Sequence, residues 1–304
     1  MNLSIIIVNY NTEKLLKECL NSIYRYTEGL EFEVIVVDNN STNKEIELFP
    51  EEFPETIFIF LNENRGFGYG NNYGFRQSSS SKYVCMLNPD ILLINNALFE
   101  LFSFLENNKN YAVCSGFLVN SKGEAEYTYN NFPGLMWFFR EAIISGTRNV
   151  ISNLNNIYKN QNKGKKNFDV DWVMGACLFM KSNVFKEVNG FDEKIFLYYE
   201  DTDLQLRIST LKYKIACLPE IRLVHYTKSS VRNETIEDTY HLNIHKSRVY
   251  YINKHFGFFN RILIKTMFII GILMRICVLP FNKKYSGLRK MKYVQMKTIL
   301  LLYC

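Results

Sequence analysis

The chain has 304 residues, 47% hydrophobic and 22% charged. That balance is globular, leaves room for one large α/β domain with an appendage or for two small domains, and rules out a chain too polar to build a core. The net charge of +6 hides an asymmetry: from Thr239 onward there are 12 Lys and Arg and no Asp or Glu, so the residues before it carry 24 basic against 30 acidic side chains. A mildly acidic body with a basic tail points to an anionic partner for the tail, either a membrane surface or nucleic acid.

Leu3 to Val8 is a short β-branched run, which predicts a strand buried on both faces rather than a signal peptide. Asn11 or Thr12 can cap the following helix, where Leu15, Leu16, Cys19, Leu20 and Ile23 recur at helical spacing. Glu33 to Val37 and Thr56 to Leu61 read as the second and third strands. A glycine-rich stretch then leads into a helix near 71–79, and Tyr83 to Leu87 reads as the fourth strand. This alternation predicts a parallel sheet with right-handed crossovers and ligands beyond the carboxyl ends of the strands.

Four polar turns follow those strands: Asn9-Tyr10-Asn11, Asp38-Asn39-Asn40-Ser41, Asn62 to Gly66, and Asn88-Pro89-Asp90. Asn and Asp are ordinary turn formers, but four such turns on one edge point to a site. The rhythm breaks from Tyr127 to Asn167, and 149–167 reads as a loop rich in Asn and Lys. Order resumes at Val170-Asp171-Trp172, and a helix begins near Glu200. Seven scattered cysteines with no Cys-x-x-Cys suit reduced thiols in a cytosol rather than disulfides or zinc.

Three groups carry chemistry. Asp90, on a proline-stiffened turn at a strand end, is either an oxygen ligand for a hard divalent cation or a structural turn residue. Glu200 and Asp201 open a helix whose dipole favours an ionised carboxylate. Either could serve as general base, although helix capping is the plain alternative. His225, after an apolar strand, is a second metal ligand only in the company of Asp90. The Gly66-Phe67-Gly68-Tyr69-Gly70 stretch lets the backbone approach a phosphate, with Arg65 adding charge. It follows the third strand and there is no Walker lysine, so dehydrogenase and P-loop readings fail.

Taken together, from Leu3 to about Ser230, these segments resemble the family 2 glycosyltransferases of the GT-A fold, especially the bacterial rhamnosyltransferase-like branch. The resemblance implies an α/β fold with a mostly parallel central sheet flanked by helices. By it, Asn9, Tyr10, Asp38 and Asn40 belong to a pyrimidine-binding pair of loops, with Asp38 on the base N3–H. Asn64, Arg65 and Gly66 lie beneath the nucleotide. Asn88 and Asp90 stand in the metal motif, with His225 as a metal or diphosphate contact for Mg2+ or Mn2+. Trp172 and Gly175 mark the acceptor side, and Glu200 accompanies Asp201, the base.

The activity implied is inverting transfer from dTDP-rhamnose or a UDP-hexose. The acceptor would be a hydroxyl of a lipid-linked glycan in surface polysaccharide synthesis. A non-catalytic nucleotide-sugar-binding membrane adaptor of the same fold is the alternative. Expected domains are a catalytic one over 1–238, with a nucleotide-sugar half to about 120 and an acceptor half from 121, and a basic helical extension over 239–304. Lys265 and Arg275 make a membrane span over Ile262 to Leu279 expensive. The extension is therefore expected to lie on an anionic membrane surface, placing the protein at the cytoplasmic face. Nucleic acid is disfavoured because no recognised binding module accompanies the charge.

Overall fold

A computed structural model describes residues 1–144, 168–226, 234–281 and 289–304. The loop expected over 149–167 and the end of the resemblance at Ser230 lie outside them. In chain order the strands are β1 (Leu3–Asn9), β2 (Phe32–Asp38), β3 (Thr56–Phe60), β4 (Tyr83–Leu87), β5 (Ile91–Leu93), β6 (Tyr111–Val119), β7 (Tyr129–Asn130), β8 (Phe168–Val170), β9 (Trp172–Val173), β10 (Cys177–Lys181) and β11 (Lys214–His225). The helices are α1 (Glu13–Tyr26), α2 (Phe49–Glu52), α3 (Phe67–Gln77), α4 (Ala97–Asn107), α5 (Leu135–Ile144), α6 (Ser182–Glu187), α7 (Glu200–Thr210), α8 (Glu234–His255), α9 (Phe258–Val278) and α10 (Arg289–Tyr303).

The chain forms two compact units. The first comprises Met1–Phe132, Asn162–Phe196 and Glu200–Val231, and the second Pro133–Gln161, Leu197–Tyr199 and Arg232–Cys304. In the first unit, the described residues form a sheet in the order β3-β2-β1-β4-β10-β6-β11-β5, with β8 beside β11. The expected parallel arrangement holds for β3, β2, β1 and β4. Beyond them β10 runs antiparallel to both β4 and β6, whereas β6 and β11 are parallel. The sheet is therefore mixed.

Burial explains the strands. All seven residues of β1 are buried, so its continuous apolar run is covered on both faces. On one face α1 buries Leu16, Cys19, Leu20 and Ile23, an i, i+3, i+4, i+7 stripe. On the other, α3 comes unusually close. A Cβ on Gly70 would fall 2.9 Å from Val8, and one on Gly74 would fall 2.7 Å from Ile6. These two glycines thus serve helix-to-sheet packing.

Strand direction sets the site. β1, β2, β3 and β4 end on one edge, and β10 begins there because Cys177 pairs with Leu87. β11 closes beside β5, with His225 opposite Ile91. The second unit is helical, and α9 packs on α5 through Gly271, where a Cβ would lie 2.2 Å from the Ala142 carbonyl oxygen. Arg275 donates to that same carbonyl at 2.6 Å. The charge that interrupts the apolar run is thereby spent on the last turn of α5, whose carbonyls lack helical partners.

Candidate active site

At the ends of β1 and β2 the register sets Asn9 opposite Asp38. Asn9 Nδ2 donates to Asp38 Oδ1 at 2.8 Å, and the Ser41 hydroxyl donates to the same oxygen at 2.6 Å. The Ser41 N–H donates to Oδ2 at 2.9 Å. Three donors hold a buried carboxylate in a fixed orientation. Oδ2 keeps acceptor capacity for an N–H from a ligand. Tyr10 (46% exposed) and Asn40 stand at the rim of this pair of turns. Asn40 and Asn11 take positive φ values of 64° and 55°, which Asn tolerates better than most residues.

Asn39 ties this pair to the third turn: its Nδ2 donates to the Gly66 carbonyl at 3.1 Å and its Oδ1 accepts from the Arg65 N–H at 3.3 Å. Asn64 accepts from the Gly66 N–H at 3.0 Å. Gly66 sits at φ 91°, and a Cβ there would be 2.2 Å from the Phe196 carbonyl oxygen. Only glycine fits. Arg65 lies over the Tyr69 ring, 3.8 Å from its centroid.

The fourth turn carries the candidate metal residues. Asp90 Oδ2 lies 3.3 Å from His225 Nε2, and His225 Nδ1 lies 3.1 Å from Glu126 Oε2. Burial alone would lower the His225 pKa; the hydrogen bond and charge of Asp90, then Glu126, outweigh it and raise it. Asn88 Oδ1 and Asp90 Oδ1 are both buried without a hydrogen-bond partner. Two orphaned hard oxygens on one three-residue turn are costly in a protein, and a divalent cation is a group that would satisfy them. Among the described residues no cluster of three or more His, Cys, Asp or Glu forms a complete cage. That is compatible with Mg2+-type binding, in which one or two carboxylates share the ion with substrate phosphates.

Asp201 meets the same edge. Its Oδ2 accepts from the Gly175 N–H at 2.9 Å, and its Oδ1 from the Thr202 N–H at 2.7 Å. The next residue after Gly175, Ala176, accepts from the Asn88 N–H at 2.9 Å. Two hydrogen bonds through consecutive residues therefore join the Asp201 carboxylate to the turn that bears Asp90. Against the direction a helix dipole favours, burial raises its pKa, partly offset by the Gly175 and Thr202 donors. Glu200 is more deeply buried, and its Oε2 has no hydrogen-bond partner. Burial, then the Asp201 charge, pushes its pKa well above the usual carboxylate range.

Trp172 is half-buried, and its indole N–H donates to the Asn131 carbonyl at 3.1 Å. Two contributors escaped the sequence reading. Gln205, one turn after Asp201, pairs with both backbone groups of Val173 at 2.7 and 2.9 Å and so holds the acceptor-side strand to α7. Glu126 orients His225, but as an acid in a loop outside any motif it carried no signal.

The family model described as Glycosyl transferase family 2 matches residues 4–188. Rhamnosyltransferase WbbL of Escherichia coli is 26% identical over 237 residues, covering 75% of this chain and 85% of its own. The N-acetylglucosaminyl-diphospho-decaprenol L-rhamnosyltransferase of Mycobacterium tuberculosis is 22% identical over 307 residues, covering 96% and 98%. Among solved structures, a mannosyltransferase from Pyrobaculum calidifontis in complex with GDP-Man and Mn2+ superposes with a TM-score of 0.58 at 13% identity, covering 99% of this chain and 85% of that one. The fold is thus of the GT-A type.

Proposed function

The chain belongs to glycosyl transferase family 2, and from that premise we propose that it is an inverting, metal-dependent transferase of surface-polysaccharide synthesis. Its donor is dTDP-rhamnose, with a UDP-hexose as the competing candidate, and its acceptor is a hydroxyl of a lipid-linked glycan. The observation that carries this reading is the pair of hydrogen bonds linking Asp201, through Gly175 and Ala176, to the turn of Asn88 and Asp90. The names of the Escherichia coli and Mycobacterium tuberculosis relatives favour rhamnose, and the latter favours a diphospholipid-linked acceptor.

In this mechanism the Asp38 carboxylate receives the base N3–H while Asn9 and Ser41 hold it in place. Tyr10 and Asn40 border the base and ribose, and Asn64, Arg65 and Gly66 lie beneath the nucleotide. Trp172 and Gly175 border the acceptor. Asp201 takes the proton of the acceptor hydroxyl as its oxygen attacks C1. The new C1–O bond forms as the bond from C1 to the diphosphate oxygen breaks, so the anomeric configuration inverts. Asp90 and His225, beside Asn88, would hold Mg2+ or Mn2+, whose positive charge would stabilise the departing diphosphate.

The experiment is transfer and binding measured together with D201N. Transfer should fall at least about a thousandfold, in line with losing a general base and the geometry it enforces. Binding of dTDP or UDP should be unchanged, because no Asp38 contact is touched. Wild-type turnover by D201N refutes Asp201 as base. A panel of nucleotide sugars assayed with Mn2+, Mg2+ or EDTA identifies the donor, and full turnover in EDTA refutes the metal.

The protein is peripheral at an anionic membrane on this reading. Among the described residues no helix is long and apolar enough to cross a membrane. α9 instead buries Ile264, Phe268, Gly271 and Ile272 and exposes Phe259, Ile262, Ile270, Leu273 and Met274 on its other side. An apolar face on a basic extension is the signature of an interfacial helix.

A further inference from the structure

The three residues directly before Glu200 and Asp201 are gripped by one turn of α8. Ser247 Oγ donates to the Leu197 carbonyl at 2.7 Å, and Arg248 Nε donates to the Tyr199 hydroxyl at 3.0 Å. The Tyr251 ring lies 5.3 Å from that of Tyr199, centroid to centroid. Arg248 is itself buried. It pairs with Glu141 at 3.1 Å, reaches the Tyr303 hydroxyl at 3.4 Å and lies over the Phe268 ring at 4.6 Å. A buried guanidinium is a poor way to gain stability, since apolar residues of similar volume often do as well. What it adds is direction: a planar fork fixes its partners in orientation.

The held segment needs fixing. Tyr198 and Tyr199 adopt φ of 67° and 70°, a left-handed backbone that is rare for bulky residues and persists only where surrounding contacts enforce it. Tyr199 is joined by its peptide bond to Glu200, the first residue of α7, and Asp201 follows. If the segment relaxes, the entry into α7 and the direction of the Asp201 carboxylate change with it.

We propose that Ser247 and Arg248 are positioning residues for the Asp201 base, holding Leu197 and Tyr199 so that the C-terminal helical unit sets the rate of sugar transfer. The inference rests on Asp201 being that base. It gives the extension a role in turnover separate from any role at a membrane.

The test uses the full chain, the donor found with the nucleotide-sugar panel, and a water-soluble N-acetylglucosamine glycoside as acceptor, without lipid. Y199F, S247A, R248K and the Y199F/R248K double variant are compared with D201N, each assayed well below its own melting temperature. Y199F and R248K should each lose about tenfold to a hundredfold in kcat, as expected for a small misplacement of a reacting group. Donor KM and dTDP or UDP affinity should stay within twofold of wild type. The double variant should lose little more than the worse single one, because both break the same contact.

A purely structural clamp would lower melting temperature and leave kcat unmoved. Wild-type kcat in folded Y199F and S247A overturns the proposal even if R248K fails to fold. If D201N also keeps turnover, the base assignment has failed; if D201N is inactive while Y199F is not, only the clamp has failed.

Discussion

At the scale of single residues the site shows where stability has been given up. Glu200 is buried with one carboxylate oxygen unpartnered, and burial followed by the Asp201 charge drives its pKa far upward. A carboxyl that binds its proton more tightly folded than unfolded destabilises the native state as pH rises through its unfolded pKa, about 4.3. E200Q removes that titration without changing side-chain volume. It should melt higher than wild type at pH 7, with the gain shrinking as pH is lowered and absent below about pH 4. Thermal melts across pH check this, and a gain that persists at pH 3, or a loss at pH 7, would mean Glu200 is not penalised by ionisation. Asp201, also raised by burial, faces the same conflict between fold and chemistry. A base there is lost to protonation as pH falls, so the acid limb of the rate profile should lie above the ordinary aspartate range.

At the scale of elements, legibility followed the strength of the local pattern. β1 to β4 were readable because each is an apolar run ended by Asn or Asp, and the start of α7 because its acids cluster. The antiparallel β10 was not, because no local residue pattern says which neighbour a buried strand will pair with or in which direction. Gln205 acts through Val173, far away in sequence, and had no local signature. Ser247 and Arg248 read as ordinary members of the basic helical extension. Arg275 read as a charge spoiling an apolar run, yet it serves the Ala142 carbonyl. The same packing makes Gly271 intolerant. With a Cβ 2.2 Å from the Ala142 oxygen, G271A must push α9 off α5, at about 1–3 kcal/mol for overpacking. Denaturant unfolding should show the loss, and an unchanged midpoint would mean the two helices do not meet there.

At the scale of the whole molecule two properties coincide on the C-terminal extension. It carries 12 basic and no acidic residues from Thr239 on, and α9 leaves Phe259, Ile262 and Leu273 exposed. Neither property alone gives firm attachment. Basic residues near an anionic surface contribute about 1 kcal/mol each, and that contribution is confined to a Debye length. Apolar insertion is insensitive to salt but is the smaller share for a few side chains. Acting together, they predict a two-part response in vesicle sedimentation. Wild-type protein should bind vesicles containing phosphatidylglycerol at 0.1 M salt and lose most, but not all, of that binding near 1 M, where the Debye length falls from about 10 to 3 Å. F259D with L273E should weaken binding at both salt concentrations and remove the salt-resistant remainder, while turnover of a soluble acceptor stays at the wild-type rate. Equal binding to neutral and anionic vesicles would overturn the electrostatic part. Unaltered binding by the double variant would mean that this face of α9 meets something other than lipid.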